Sequence, residues 1–130
     1  MSYLLDTGVW IWSVSEPARL SPVARELLED RRQELFLSAV TSFELAIKVG
    51  IGKLQLPEPP GAYVPSRMMM QGLRPLPVSH RHALAVFDLP LHHRDPFDRL
   101  LVAQALVENM TLLTADREIE MYDVSLLWCG

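Results

Sequence analysis

Cysteine is almost missing from the 130-residue chain: Cys129 is the only one, next to the last residue. One thiol excludes a disulfide framework within the chain and fits a reducing compartment, so a cytoplasmic protein is expected, with Cys129 a bland terminal residue. A basic surplus is also missing. Twelve Lys and Arg against sixteen Asp and Glu leave a formal charge of −4, which by itself argues against a nucleic-acid binder. No apolar run approaches the roughly 20 residues of a membrane span. Met1-Ser2-Tyr3 carries no basic start, and the apolar run after it stops at Asp6, so no signal peptide is expected. No internal repeat, low-complexity tract or phosphate-cradling Gly-x-x-x-x-Gly-Lys occurs, which argues against repeat architectures and P-loop nucleotide hydrolysis.

What is present is a globular composition, 49% hydrophobic, in a length suited to a single domain over residues 1–130. Tyr3-Leu4-Leu5, Glu34 to Leu37, Thr111 to Thr114 and Val124 to Trp128 read as short, continuously apolar strands of the kind buried on both faces. A proline-bearing strand near Pro75–Val78 reads as an edge. Helices are expected between them. Ser21-Pro22 opens one, and Ser38 to about Ile51 forms another with Val40, Phe43, Ile47 and Ile51 on its apolar face. A third runs from about Val64 to Gln71 after a Pro-rich linker, and Ser79 caps a fourth. Asp95-Pro96-Phe97-Asp98 is the strongest start: Asp95 as N-cap, Pro96 at the first helical position, and Leu101, Val102, Ala105 and Leu106 toward a core. Strands alternating with helices predict an α/β fold, a three-layer α/β/α sandwich around a mostly parallel sheet.

In such a sheet, ligands gather at the carboxyl ends of the strands. Asp6 closes the first strand and Asp116 follows strand 111–114, while Glu44 and Asp98 lie on helices that flank those ends. Each has a structural alternative: a turn cap for Asp6, a Thr41-x-x-Glu44 capping box or a Lys48 partner for Glu44, dipole compensation for Asp98, an N-cap for Asp116. Their joint placement favours chemistry. Clustered carboxylates repel one another unless a cation lies between them, and hard divalent cations prefer oxygen ligands. Two such ions roughly 4 Å apart serve phosphodiester cleavage.

The chain resembles the PIN domain and, within it, the VapC-type toxins of bacterial toxin–antitoxin pairs. The matching segments are Leu4-Leu5-Asp6-Thr7, Ser38 to Lys48 followed by Gly52-Lys53-Leu54, His93 to Ala105 with its Asp-Pro-Phe-Asp-Arg stretch, and Leu112-Leu113-Thr114-Ala115-Asp116. They cover essentially the whole chain in order. The resemblance implies an endoribonuclease dependent on Mg²⁺ or Mn²⁺, with the metal-binding acids at Asp6, Glu44, Asp98 and Asp116 and Asp95 left as the helix cap. It also implies an RNA substrate, a cognate antitoxin protein and a homodimer. Many members carry His where this chain has Gly8.

The acidic balance is then explained in part by the site itself, with Lys48, Lys53, Arg94 and Arg99 as candidates for phosphate contact. His92 and His93 beside Asp95 invite a zinc site. Adjacent loop histidines do not readily face one ion and no cysteine joins them, so the loop reads as merely polar. His80 and His82 read as surface residues, Met68-Met69-Met70 as core packing, and Trp10 and Trp12 as buried rather than base-stacking. The competing functions are a catalytically silent binding module, which has no need of a repulsive acid cluster, and a DNA nuclease using the same site. A haloacid-dehalogenase-type phosphatase needs Asp-x-Asp and is excluded by Gly8; a response-regulator receiver lacks its adjacent acids.

Overall fold

The computed structural model describes residues 1–130. Five strands, β1 (Ser2–Leu5), β2 (Glu34–Ser38), β3 (Arg74–Leu76), β4 (Thr111–Thr114) and β5 (Leu126–Trp128), form one sheet in the order β3-β2-β1-β4-β5. Every neighbouring pair is parallel. The strand bearing Pro75 sits at the edge, where a missing backbone donor is tolerated. The sheet's strand order reverses beside β1, between β1 and β4, and that is where an open α/β sheet offers a crevice.

The pleat divides the core in two. Leu4 and Leu112, paired across β1 and β4, face a cluster with Leu101, Val102 and Ala105 of helix α6 (Pro96–Glu108). Leu5 and Leu113, one residue on in each strand, face the other side. There they pack with Val9 and Trp10 of α1 (Thr7–Ser15), Ala24 of α2 (Pro22–Glu29), and Tyr63 and Val64 of α4 (Pro60–Gln71). Both faces of the sheet are thus covered, giving the three-layer sandwich expected of continuously apolar strands.

Helix α3 (Ala39–Gly50) departs from the sequence reading. Ser38 caps it by accepting from the Val40 N–H, so Thr41 and Glu44 are interior residues and no capping box forms. Val40, Thr41, Glu44 and Leu45 are buried, whereas Phe43, Ile47 and Ile51 lie at the surface. The helix has two stripes, and the one carrying a threonine and a glutamate turns inward because it leads into the site. Leu106 is likewise half exposed.

Other local readings shift for similar reasons. Met68 packs on the core, but Met69 and Met70 are exposed. His82, in helix α5 (His80–Ala85), is buried rather than on the surface: its ring accepts from the Ser79 N–H at 3.0 Å, and its Nε2 lies 2.7 Å from Glu108 of α6. Trp10 is fully buried, while Trp12 is half-buried with the Arg19 guanidinium 4.5 Å above its ring. Burial pushes the Cys129 thiol up to about 12, which leaves it unreactive near neutral pH. Gln104 of α6 receives the Ser38 hydroxyl at 2.5 Å and donates to the Pro77 carbonyl at 3.2 Å, fixing α6 against the ends of β2 and β3. No helix is long and apolar enough to cross a membrane.

Candidate metal centre

Asp6 leaves the end of β1 as the residue before α1, its N–H donating to the Leu113 carbonyl at 2.9 Å. The side chain is buried, and Oδ2 accepts from the Thr114 hydroxyl at 2.9 Å. That hydroxyl oxygen in turn accepts from the Asp116 N–H at 3.1 Å. One threonine at the end of β4 therefore sets the relative position of two acids from strands that straddle the switch point. A Thr114→Val variant is expected to weaken divalent-cation binding by roughly 10- to 100-fold with the fold intact, as loss of a group that orients ligands does; calorimetric titration measures it.

Glu44 reaches the same cavity from α3, and Asp98 from the first turn of α6. All four sequence-chosen acids, Asp6, Glu44, Asp98 and Asp116, line this one cavity of about 550 Å³, the largest in the molecule. Asp95 does act as the cap of α6, accepting from the Phe97 and Asp98 N–H groups through Oδ1. The Thr7 and Thr41 hydroxyls meet at 2.9 Å and tie α1 to α3 beneath the site.

The electrostatics are those of crowded carboxylates. Burial, reinforced by the charges of Asp116 and Glu44, raises Asp6 to about 6, although bonds from Thr114 and the Thr7 N–H oppose it. Burial and the charges of Asp6, Asp95 and Glu44 raise Asp98 to about 8, with His93 opposing. Glu44 Oε2 pairs with Lys48 at 2.5 Å, and that bond raises the lysine's proton affinity. Its other oxygen, Oε1, is buried with no hydrogen-bond partner. An orphaned carboxylate oxygen among acids that resist ionisation has the chemistry of a hard-cation site, so the residues present fit a divalent metal.

Two contributors were missed. His93 turns into the cluster, its Nε2 2.9 Å from Asp98 and 3.2 Å from Asp116, while His92 turns away onto the Tyr122 ring. Two adjacent histidines indeed do not face one point, but one of them does, so the loop is more than polar. Desolvation lowers the affinity of His93 for a proton, yet the Asp116 bond and the charges of Asp98, Glu118 and Asp116 together raise it. Arg117, which follows Asp116 directly, lines the cavity as Lys48 does. Arg99 is spent elsewhere: its guanidinium donates to the carbonyls of Val86, Leu89 and Pro90 and to the Tyr122 hydroxyl. Lys53 and Arg94 do not line the cavity. A Cβ at Gly8 would meet nothing within 4 Å, so a larger residue there would project into open space at the site.

A family model described as the PIN domain matches residues 3–125. The chain is 31% identical to Ribonuclease VapC22 of Mycobacterium tuberculosis over 120 residues, 92% of this chain and 90% of that protein. It is 45% identical to Ribonuclease VapC16 of the same organism over 58 residues, which span 45% of this chain and 41% of that protein. In fold it is similar to VapBC2 from Rickettsia felis, crystallised with a DNA fragment from its promoter, with a TM-score of 0.74, 19% identity and 98% of each chain covered.

Proposed function

Because the chain belongs to the PIN domain family, we propose that it is a divalent-cation-dependent endoribonuclease and the toxin half of a toxin–antitoxin pair. Asp6, Glu44, Asp98 and Asp116 would hold Mg²⁺ or Mn²⁺. The observation that carries this reading is the convergence of four acids from β1, α3, α6 and the end of β4 at the switch point, with Glu44 Oε1 buried and unpartnered. The likeness to proteins named as VapC ribonucleases supports RNA as the substrate.

When bound, the cation would supply a lowered pKa to water and charge neutralisation at the phosphate. The chain's own groups do the rest. Asp6 and Asp98, raised above the ordinary carboxylate range, would give up their protons to act as ligands. Lys48 holds one oxygen of Glu44, and the other is buried without a partner of its own. Lys48 and Arg117 are the cations of the cavity lining and would meet phosphate oxygens, which makes RNA binding fall as salt is added. Val9, Ile11 and Trp12 of α1 supply most of the apolar part of the same lining.

The partners we propose are a cognate antitoxin and a second copy of the chain. The exposed apolar stripe of Phe43 and Ile47 on α3, continued by Ile51 just past its end, supports such cover. Light scattering is expected to give twice the mass of one chain; monomer throughout a dilution series contradicts the dimer. The nuclease itself is tested on matched RNA and DNA strands. Cleavage of RNA with Mg²⁺ or Mn²⁺, abolished by chelator and restored by added metal, is expected. Cleavage in excess chelator, or of DNA alone, would overturn the reading.

A further inference from the structure

His93 is built into the cluster as deliberately as the acids are. Its backbone N–H donates to the buried Tyr122 hydroxyl at 3.0 Å, and Arg99 holds the loop that precedes it through three backbone carbonyls. The imidazole is largely buried and has a carboxylate on each side. Nδ1 lies 2.9 Å from Glu118, and Nε2 faces Asp98 at 2.9 Å and Asp116 at 3.2 Å. The Asp95 N–H donates to Nδ1 at 3.3 Å, so Nδ1 accepts there, and Glu118 is the carboxylate that would receive a proton placed on that nitrogen.

A carboxylate at one ring nitrogen takes its N–H and directs the lone pair of the other outward, the arrangement that prepares a histidine to bind a metal. In the metal-free chain Nε2 is hydrogen-bonded to Asp116 and paired with Asp98, and the donor atoms of His93, Asp98 and Asp116 all lie within 4.8 Å of one another. A proton on Nε2 holds them together without metal, and a divalent cation among the three donors would displace it, leaving the Nδ1–H to face Glu118. Glu44, 4% exposed and with Oε1 unpartnered, lines the cavity that Asp98, Asp116 and Glu118 also line.

We propose that His93 is a nitrogen donor to the divalent cation, oriented by Glu118, and that it favours Mn²⁺ over Mg²⁺ in this site. The inference rests on the metal-dependent reading above. Mg²⁺ demands oxygen and parts reluctantly with its water, whereas imidazole suits the transition metals, so one nitrogen among carboxylates shifts the preference.

The test is pulsed electron paramagnetic resonance on the full chain loaded with Mn²⁺, read alongside Mn²⁺ and Mg²⁺ affinities by competition. The wild type is expected to show coupling to an imidazole nitrogen. A His93→Gln variant, checked for folding by thermal melt, is expected to lose that coupling, and its Mn²⁺-to-Mg²⁺ affinity ratio is expected to fall about tenfold. The wild-type spectrum stands as a test even if the variant does not fold. Mn²⁺ bound with no nitrogen coupling, or coupling that survives in His93→Gln, overturns the role of His93 and leaves the carboxylate site standing. No Mn²⁺ binding at all overturns both.

Discussion

Replacing Asp6 or Asp98 by Asn is expected to reduce RNA cleavage by more than 100-fold while the fold persists. Residues that merely orient metal ligands already cost roughly 10- to 100-fold when lost, and these two acids would touch the ion itself. The substitutions are nearly isosteric. Asn at position 6 still offers a carbonyl oxygen to the Thr114 hydroxyl, which now sits 2.9 Å from Asp6 Oδ2. Asn at position 98 leaves the cap of α6 untouched, because Asp95 makes it. Removing a buried acid also relieves repulsion. Without metal at pH 8, above the value of about 6 for Asp6, the Asp6→Asn chain is expected to melt no lower than wild type. Loss of activity with retained or raised melting temperature separates a site role from a structural one. Wild-type cleavage rates in both variants would sink the assignment.

Trp10→Ala is expected to be the most damaging change to the fold, at about 3–5 kcal/mol, the usual cost of emptying a large aromatic site. Against the roughly 5–15 kcal/mol that holds such a domain together, this is a large share. Trp10 is fully buried between the sheet and α4, with the Tyr63 ring edge-on at 6.2 Å. Its indole N–H donates to Gln71 at 2.9 Å, and Gln71 donates on to the Ser13 hydroxyl at 2.9 Å. The truncation therefore leaves a cavity and a glutamine without its donor. Chemical denaturation measures the loss. A Trp10→Phe variant, which keeps a ring and drops the N–H, is expected to fall between the two. A cost under about 1 kcal/mol for Trp10→Ala would mean that α1 is not anchored through this residue.

How far the sequence carried depended on whether the deciding contact was local. The cap at Asp95-Pro96 is a matter of three residues, and it was legible. So were the strands, because a run such as Leu4-Leu5 buried on both faces needs no distant information. Asp6, Asp98 and Asp116 could be chosen because strand ends and a helix start place them at one end of the sheet, whereas Glu44 was chosen only for lying on the helix that follows β2. The inward face of α3 was not legible. Periodicity finds the stripe Phe43, Ile47, Ile51, but it cannot say that Thr41 and Glu44 must turn inward to meet Thr7 and the site. His82 and His93 failed for the same reason. Their partners, Glu108 and the acids 98, 116 and 118, are brought to them by tertiary packing. Reasoning about two adjacent histidines as a pair also hid the possibility that one would face the acids alone.

The claim that these acids form one divalent-cation site has a direct test in thermal unfolding from pH 5 to 8, with and without Mg²⁺. Asp6 and Asp98 are raised from 3.8 to about 6 and about 8. The metal-free folded chain therefore binds more protons than the unfolded one across this window, and these two groups make it less stable as pH rises. A cation held by the ionised acids stabilises the fold, and most where those protons are easiest to displace. The account predicts that the rise in melting temperature on adding Mg²⁺ is small at pH 5, grows toward pH 8, and disappears in Asp98→Asn. A melting temperature indifferent to Mg²⁺ at pH 8, or a shift that Asp98→Asn leaves unchanged, would contradict it.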